Sequence, residues 1–134
     1  MDSIITRYKG KQLDPESLSC FTMLMEWLGK DPSVVQGKFK TILGAKRKLP
    51  KLLGHKTISE YLASNGCDEL ENWRFLQDGD LVVFDGINSY LYQYGYLFGV
   101  SPYHHQSFNY IHINTVIESL HPDSEIRVYR KIKQ

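Results

Sequence analysis

Cysteine is scarce in this chain, which has only Cys20 and Cys67 among its 134 residues. Two cysteines make no disulfide framework, so we expect the chain to fold in a reducing compartment. Long apolar runs are also absent, since none approaches the ~20 residues that a membrane span needs. The segment 1–12 (MDSIITRYKGKQ) lacks the apolar stretch and the cleavage site of a signal peptide. We therefore expect a protein that is made in the cytoplasm and has no membrane span.

The composition is that of a globular protein, with 42% hydrophobic and 23% charged residues, which excludes a disordered or low-complexity chain. The length predicts a single domain over 1–134. Charge is segregated: Lys and Arg outnumber Asp and Glu by eleven to five in 1–56 and by four to none in 126–134, whereas acids prevail by ten to one in 57–125. Such a split can steer a charged partner. Nucleic acid is not favoured, because the basic cluster 46–48 has no interleaved aromatics.

The first half of the chain predicts helices. Residues 1–14 show no sustained period and are expected to form an extended lead-in. From Ser17, apolar residues at 21, 24, 25 and 28 follow the helical i, i+3, i+4, i+7 spacing and end at Gly29. A second helix is predicted over 33–49, stopped by Pro50. A third begins at the capping box of Thr57 and Glu60 and ends at Asn65-Gly66.

The second half predicts strands over 80–85, 90–98, 108–113 and 126–132, with Gly99 to Pro102 breaking the second of them. Short turns between neighbouring strands indicate antiparallel pairing. Helices followed by strands predict an α+β fold, with the N-terminal helices packed on a small antiparallel sheet.

Cys20 is the first candidate for chemistry. It falls in the first turn of the predicted helix, where the positive end of the helix dipole lowers the pKa of a thiol. A thiolate in this position is a nucleophile if a strand supplies a His base. The alternative is that Cys20 is a small hydrophobic residue packed under the sheet.

The order of short motifs in this chain resembles the NlpC/P60 branch of the papain-fold cysteine peptidases. The likeness is closer to the small NlpC/P60-like proteins that tailed phages and prophages encode beside their tail-tip genes. It rests on Ser19-Cys20, GKDP at 29–32, GKF at 37–39, Gly44-Ala45, GDLVV at 79–83 with Asp85-Gly86, QYGYLFG at 93–99, Ile111-His112 and IRVY at 126–129.

This resemblance implies a papain-like fold with Cys20 as nucleophile, His112 at the orienting position, and a degenerate base. Gln93 stands where the peptidases carry the catalytic His, and an amide can neither accept nor return the thiol proton. His104 and His105 stand in a polar loop, from which one of them can act as a substitute base or meet a partner. The site is therefore expected to be vestigial, with catalysis through a loop His as the alternative.

Two further patterns concern ligands and partners. The histidines and cysteines have no zinc-type spacing, so neither metal nor cofactor is expected. Tyr90, Tyr92, Tyr94 and Tyr96 alternate along a predicted strand, which places them on one face. Such a row suits a protein interface, because Tyr combines apolar area with a hydroxyl. Packing inside the domain is the alternative.

The resemblance thus implies a structural or assembly component of a bacteriophage tail tip or baseplate, located in the virion tail and made in the host cytoplasm. It would bind other tail-tip or baseplate proteins through a degenerate peptidase scaffold. The first alternative is an active cell-wall cysteine peptidase or amidase that uses Cys20 with His112 or a loop His as base. A phage-encoded inhibitor of a host protein is the second alternative.

Overall fold

A computed structural model of the chain describes residues 2–14 and 16–132. Within these residues five α-helices surround a six-stranded antiparallel sheet, so the predicted α+β class is confirmed. Helices α1 to α5 span Asp2–Tyr8, Cys20–Trp27, Ile42–Leu53, Ile58–Ser64 and Ile113–Ser119. Strands β1 to β6 span Cys67–Leu70, Leu81–Phe84, Asn88–Gln93, Tyr96–Ser101, Ser107–His112 and Ile126–Lys131. Short 3₁₀ helices occupy Pro32–Val34, Trp73–Phe75 and Pro102–His104.

The sheet has the order β1-β6-β2-β3-β4-β5, so the last strand lies between the first two. Side chains alternate between its two faces, as the strand period of two requires. One face, with Leu81, Leu91 and Phe98, joins the larger core beneath helices α1 to α4. The other face, with Val82 and Leu97, joins a smaller core covered by α5 and the 73–76 segment. Both faces of the sheet are therefore buried.

Two of the predicted helices, α2 and α4, are confirmed, and side-chain caps explain where each of them begins. Helix α2 begins after Ser19, whose hydroxyl accepts hydrogen bonds from the backbone of Phe21 and Thr22. Helix α4 begins after Thr57, whose hydroxyl accepts from the Glu60 backbone N–H. A side-chain cap supplies a partner for helix-end N–H groups that otherwise have none.

The predicted helix over 33–49 is wrong. The chain forms one 3₁₀ turn at Pro32–Val34, passes Gly37 at φ 71°, and starts α3 only after Thr41, whose hydroxyl caps the helix. Pro50 lies inside α3, which continues to Leu53 and ends at Gly54 with φ 74°. Pro50 is therefore accommodated inside the helix, and α3 ends at Gly54, whose left-handed conformation is typical of a helix C-cap.

The expected extended lead-in over 1–14 is also wrong, because residues 2–8 form helix α1. Ile4, Ile5 and Tyr8 share one face of this helix and are buried in the larger core. The Tyr8 hydroxyl donates to Thr22 Oγ1 at 3.0 Å and also to Glu26. A helix this short is stabilised by packing against α2, so its sequence alone shows no sustained helical pattern.

The predicted single strand over 90–98 is wrong as well, since it is a hairpin. Tyr94 and Gly95 form its two-residue turn, with φ of 50° and 85°, and β3 and β4 pair on either side. Gly99 does not break the second strand but lies inside β4, which runs on to Ser101. A Cβ at position 99 would meet the ring of Tyr90 at 2.4 Å, so the absent side chain leaves room for that ring.

We expect Gly99→Ala to lower the free energy of unfolding by about 1–3 kcal/mol, because the new methyl group must displace the Tyr90 ring. Urea unfolding monitored by circular dichroism measures this change. In a Tyr90→Leu background the same substitution should lower the free energy of unfolding much less, since the aromatic ring is absent. An equal cost in both backgrounds would show that the Tyr90 ring is not the obstacle.

Candidate functional site

The start of helix α2 is held by a closed set of hydrogen bonds. The Ser19 N–H donates to Thr22 Oγ1 at 2.9 Å, and the Thr22 hydroxyl donates to the Ser19 carbonyl at 2.8 Å. Tyr8 adds its hydroxyl to the same oxygen of Thr22. Ser19 thus serves as the helix cap, and its hydroxyl accepts the two hydrogen bonds of that role.

Cys20 is the first residue of α2 and is 8% exposed. Its Sγ lies 3.7 Å from the carbonyl oxygen of Ile87, to which the thiol donates. Burial raises the pKa of the Cys20 thiol to about 11, although a backbone hydrogen bond from Ser89 acts in the lowering direction. The helix dipole contributes about 0.3–1 kcal/mol at such a position, less than one pKa unit. The thiol therefore stays protonated at neutral pH.

A cavity of about 440 Å³ opens beside Cys20. Its lining comes from the start of α2, the segment 39–41, the start of β3, and the ends of β4 and the following loop. The lining residues are Leu13, Ser19, Cys20, Phe21, Phe39, Lys40, Thr41, Asn88, Ser89, Tyr90, Val100, Pro102 and Gln106. Imidazole and carboxylate groups are absent from this lining as the structure describes it.

Ser89 is the strand residue that meets Cys20 in this cavity. It is 1% exposed and belongs to the same face of β3 as Leu91, which points into the larger core. Its Oγ has no hydrogen-bond partner among the described residues, although it is fully buried. A serine hydroxyl does not act as a base toward a thiol at neutral pH, so the cysteine faces a polar group without a catalytic base.

Gln93 and His112, the other two members of the expected site, lie at the opposite end of β3. Gln93 pairs with Tyr96, which in turn pairs with His112 across the sheet. Four residues separate Gln93 from Ser89, or about 13 Å at ~3.3 Å per residue. Gln93 Oε1 accepts a hydrogen bond from the Tyr110 hydroxyl at 2.8 Å. The His112 Nδ1 accepts from the Asn114 N–H at 3.1 Å and caps α5. The structure does not bring either residue to Cys20.

His104 and His105 lie nearer to the cavity, in the loop that follows β4. The neighbouring residues Pro102 and Gln106 line the cavity, whereas both histidines are exposed outside it. The His104 Nδ1 is 2.8 Å from the Ser101 hydroxyl, and its carbonyl accepts from Ser107 at 2.6 Å. These bonds hold His104 away from the cysteine.

The four tyrosines do not form a single row. Tyr90 and Tyr92 are half-buried against the smaller core, and burial raises the pKa of Tyr90 to about 12. Tyr94 lies in the hairpin turn and is 78% exposed, while Tyr96 on β4 is 43% exposed. The row is divided because a two-residue turn, rather than a continuous strand, separates the two pairs.

Neither a metal site nor a membrane-spanning helix is found among the described residues 2–14 and 16–132. Among them, no three His, Cys, Asp or Glu side chains come together in a group that would hold a metal ion. None of the described helices has both the length and the apolar character needed to cross a membrane.

Comparison of the chain with models of known protein families, with curated proteins and with solved structures gives no match.

Ser89 is the site residue that sequence reasoning missed. From the glycine spacing of 93–99, the strand residue that meets Cys20 was expected at position 93, whereas the structure has it at position 89. The available signal was the pair Tyr94-Gly95, because a Gly in second place between alternating aromatic residues is typical of a tight hairpin turn. A hairpin there makes β3 a separate strand, in which Ser89 is the second residue, after the turn at Asp85-Gly86.

We expect Ser89→Ala to raise the free energy of unfolding by about 1 kcal/mol, because a buried hydroxyl without a partner costs about 1–3 kcal/mol. Ser101→Ala is the matched control, since Ser101 is 0% exposed and its hydroxyl is bonded to His104 and to the Tyr103 N–H. The Ser101→Ala variant should have a free energy of unfolding about 1 kcal/mol lower than the wild type. Equal destabilisation by both substitutions in urea unfolding would show that Ser89 has a partner in solution.

Proposed function

We propose that this chain is a structural or assembly component of a bacteriophage tail tip or baseplate, built on a degenerate NlpC/P60-like, papain-like scaffold. It acts by binding neighbouring tail proteins. The observation that carries the proposal is the site around Cys20, where a neutral thiol faces Ser89 and no base lines the cavity.

The contacts of two of the NlpC/P60-like motifs support such a scaffold. Cys20 opens helix α2, whose first turn packs on the start of β3. Asp80 of the GDLVV motif is 3% exposed and accepts two hydrogen bonds from Arg130, at 3.0 and 2.7 Å. This ion pair, in which the carboxylate is buried and the guanidinium is partly exposed, joins the residue before β2 to the closing strand β6. Both motifs therefore have a structural purpose that does not depend on catalysis.

Loss of catalysis follows from the chemistry of the site. A cysteine peptidase needs a group that takes the thiol proton and later protonates the leaving amine, and this transfer contributes roughly 10²–10⁴-fold in rate. Ser89 cannot perform it, and Gln93 lies too far along β3. With the pKa of Cys20 raised to about 11, both nucleophile and base are missing at neutral pH.

A binding surface is available at the β3–β4 turn. Tyr94 and Tyr96 are exposed there, and the Tyr96 ring meets the rings of His112 and Tyr110 edge-on at 5.2 and 6.2 Å. We call these four residues the tyrosine cluster. Aromatic residues are enriched at protein interfaces, where they bury apolar area and keep a hydroxyl for hydrogen bonding. The tyrosine cluster is the surface through which we expect a tail partner to bind.

The test is co-expression of the chain with the tail proteins encoded beside its gene, followed by affinity capture. The wild type should retain a tail protein that mass spectrometry identifies. The double variant Tyr94→Ala, Tyr96→Ala should bind that protein at least tenfold more weakly, because truncation of an interface anchor costs about 2 kcal/mol or more of binding free energy. Each of these substitutions is at an exposed site and should leave the fold intact.

Tyr103→Ala is the control, since Tyr103 is 57% exposed but lies beyond the other end of β4. It should bind like the wild type. Failure to retain any tail protein would refute the proposal, and equal loss in the control would refute the role of the tyrosine cluster.

An active cell-wall peptidase or amidase is the second candidate, and one observation favours it. The loop with His104 and His105 borders the cavity through Pro102 and Gln106. Release of His104 from Ser101 would free an imidazole in the loop that borders the cavity.

A further inference from the structure

The cavity beside Cys20 has the size and lining of a ligand site. Its 440 Å³ fall within the roughly 300–1,000 Å³ that is typical of small-molecule pockets. We propose that it binds a small, mainly apolar molecule whose buried end carries one neutral oxygen, a carbonyl or a hydroxyl, hydrogen-bonded to Ser89. This site is separate from the tyrosine cluster, so the two proposals stand or fall independently.

The walls of the cavity favour an apolar body. Phe21 and Phe39 meet edge-on at a centroid distance of 5.0 Å and are buried, and Leu13 and Val100 add aliphatic surface. Burial of apolar ligand area against such walls contributes about 25 cal/mol per Å². A strongly polar molecule would lose its hydration here without gaining hydrogen bonds in return.

Ser89 supplies the specific polar contact. The other buried hydroxyls near it are in use: Ser19 caps α2, Ser101 bonds to His104, and Ser107 donates to the His104 carbonyl. Ser89 Oγ alone among the described buried side-chain atoms has no partner. Ser89 lines the cavity, and because its Oγ has almost no accessible surface, its side chain must turn about χ1 to meet a ligand oxygen. An unpaired buried donor gains more from a new acceptor than an exposed one does.

The charged residues in the cavity lining determine which end of the ligand can be buried. Lys40 is the one charged residue in the described lining, and it is exposed at the mouth of the cavity. Besides Lys40, the lining that the structure describes offers no cation to pair with a buried anion, and burial of an unpaired ion is costly. The buried end must therefore be neutral, while the mouth tolerates an anionic group near Lys40.

The experiment compares acetophenone with ethylbenzene, two molecules of nearly equal shape that differ by a carbonyl oxygen. Each is titrated into ¹⁵N-labelled protein, and amide shifts give both the site and the dissociation constant. We expect shifts confined to the residues around the cavity, and about two- to tenfold tighter binding of the ketone, as one neutral hydrogen bond provides.

Ser89→Ala should abolish the preference for the ketone, whereas Ser107→Ala, a buried serine outside the cavity lining, should keep it. Absence of binding, or shifts at another surface, would overturn the proposed site. Equal affinity for the two probes, or a preference that persists in Ser89→Ala, would overturn the proposed ligand class. Amide spectra of each variant show whether it is folded, and the wild-type comparison decides the site without any variant.

Discussion

The contact between the first turn of helix α2 and the start of strand β3 determines where the cysteine, the cavity and the larger core lie. At the N-terminal end of α2, the Cys20 thiol donates to the Ile87 carbonyl. At the other end of the helix, the Trp27 indole donates to the Gly79 carbonyl at 2.8 Å, and the Trp27 carbonyl accepts from Lys131 at 2.8 Å. Helix α2 is thus fixed across the sheet at both ends, and the side chain of its first residue has no freedom to approach another strand position.

Burial is the constraint that decides the chemistry of this contact. A helix N-terminus and a hydrogen bond from Ser89 both favour a thiolate, yet the pKa of Cys20 rises because desolvation outweighs them. A catalytic cysteine overcomes this penalty with an adjacent imidazolium. Here the adjacent residue is a serine, so this packing leaves a protonated thiol beside a largely apolar cavity.

Local signals predicted part of this structure, and long-range pairing determined the rest. The cap at Thr57 and the apolar run of β2 are readable because each depends on neighbouring residues alone. Helices α1 and α5 and strand β1 are short and owe their form to packing or to pairing with β6. The position of Cys20 at a helix start was predictable for the same local reason. Its partner Ser89 was not, because that assignment depends on where the hairpin turns.

The central claim, that Cys20 has no catalytic base, is tested most directly by the pH dependence of its alkylation. Iodoacetamide modification of the Cys20 peptide is followed by mass spectrometry, with urea-unfolded chain as the control that reacts at the ordinary thiol pKa of about 8.5. We predict that the folded chain reacts appreciably only above about pH 10, since a thiol of pKa about 11 is about one part in 10⁴ thiolate at pH 7. Purified muropeptides should not be turned over. Rapid alkylation below pH 7, together with muropeptide turnover that Cys20→Ala abolishes, would contradict the account and make a loop histidine the base.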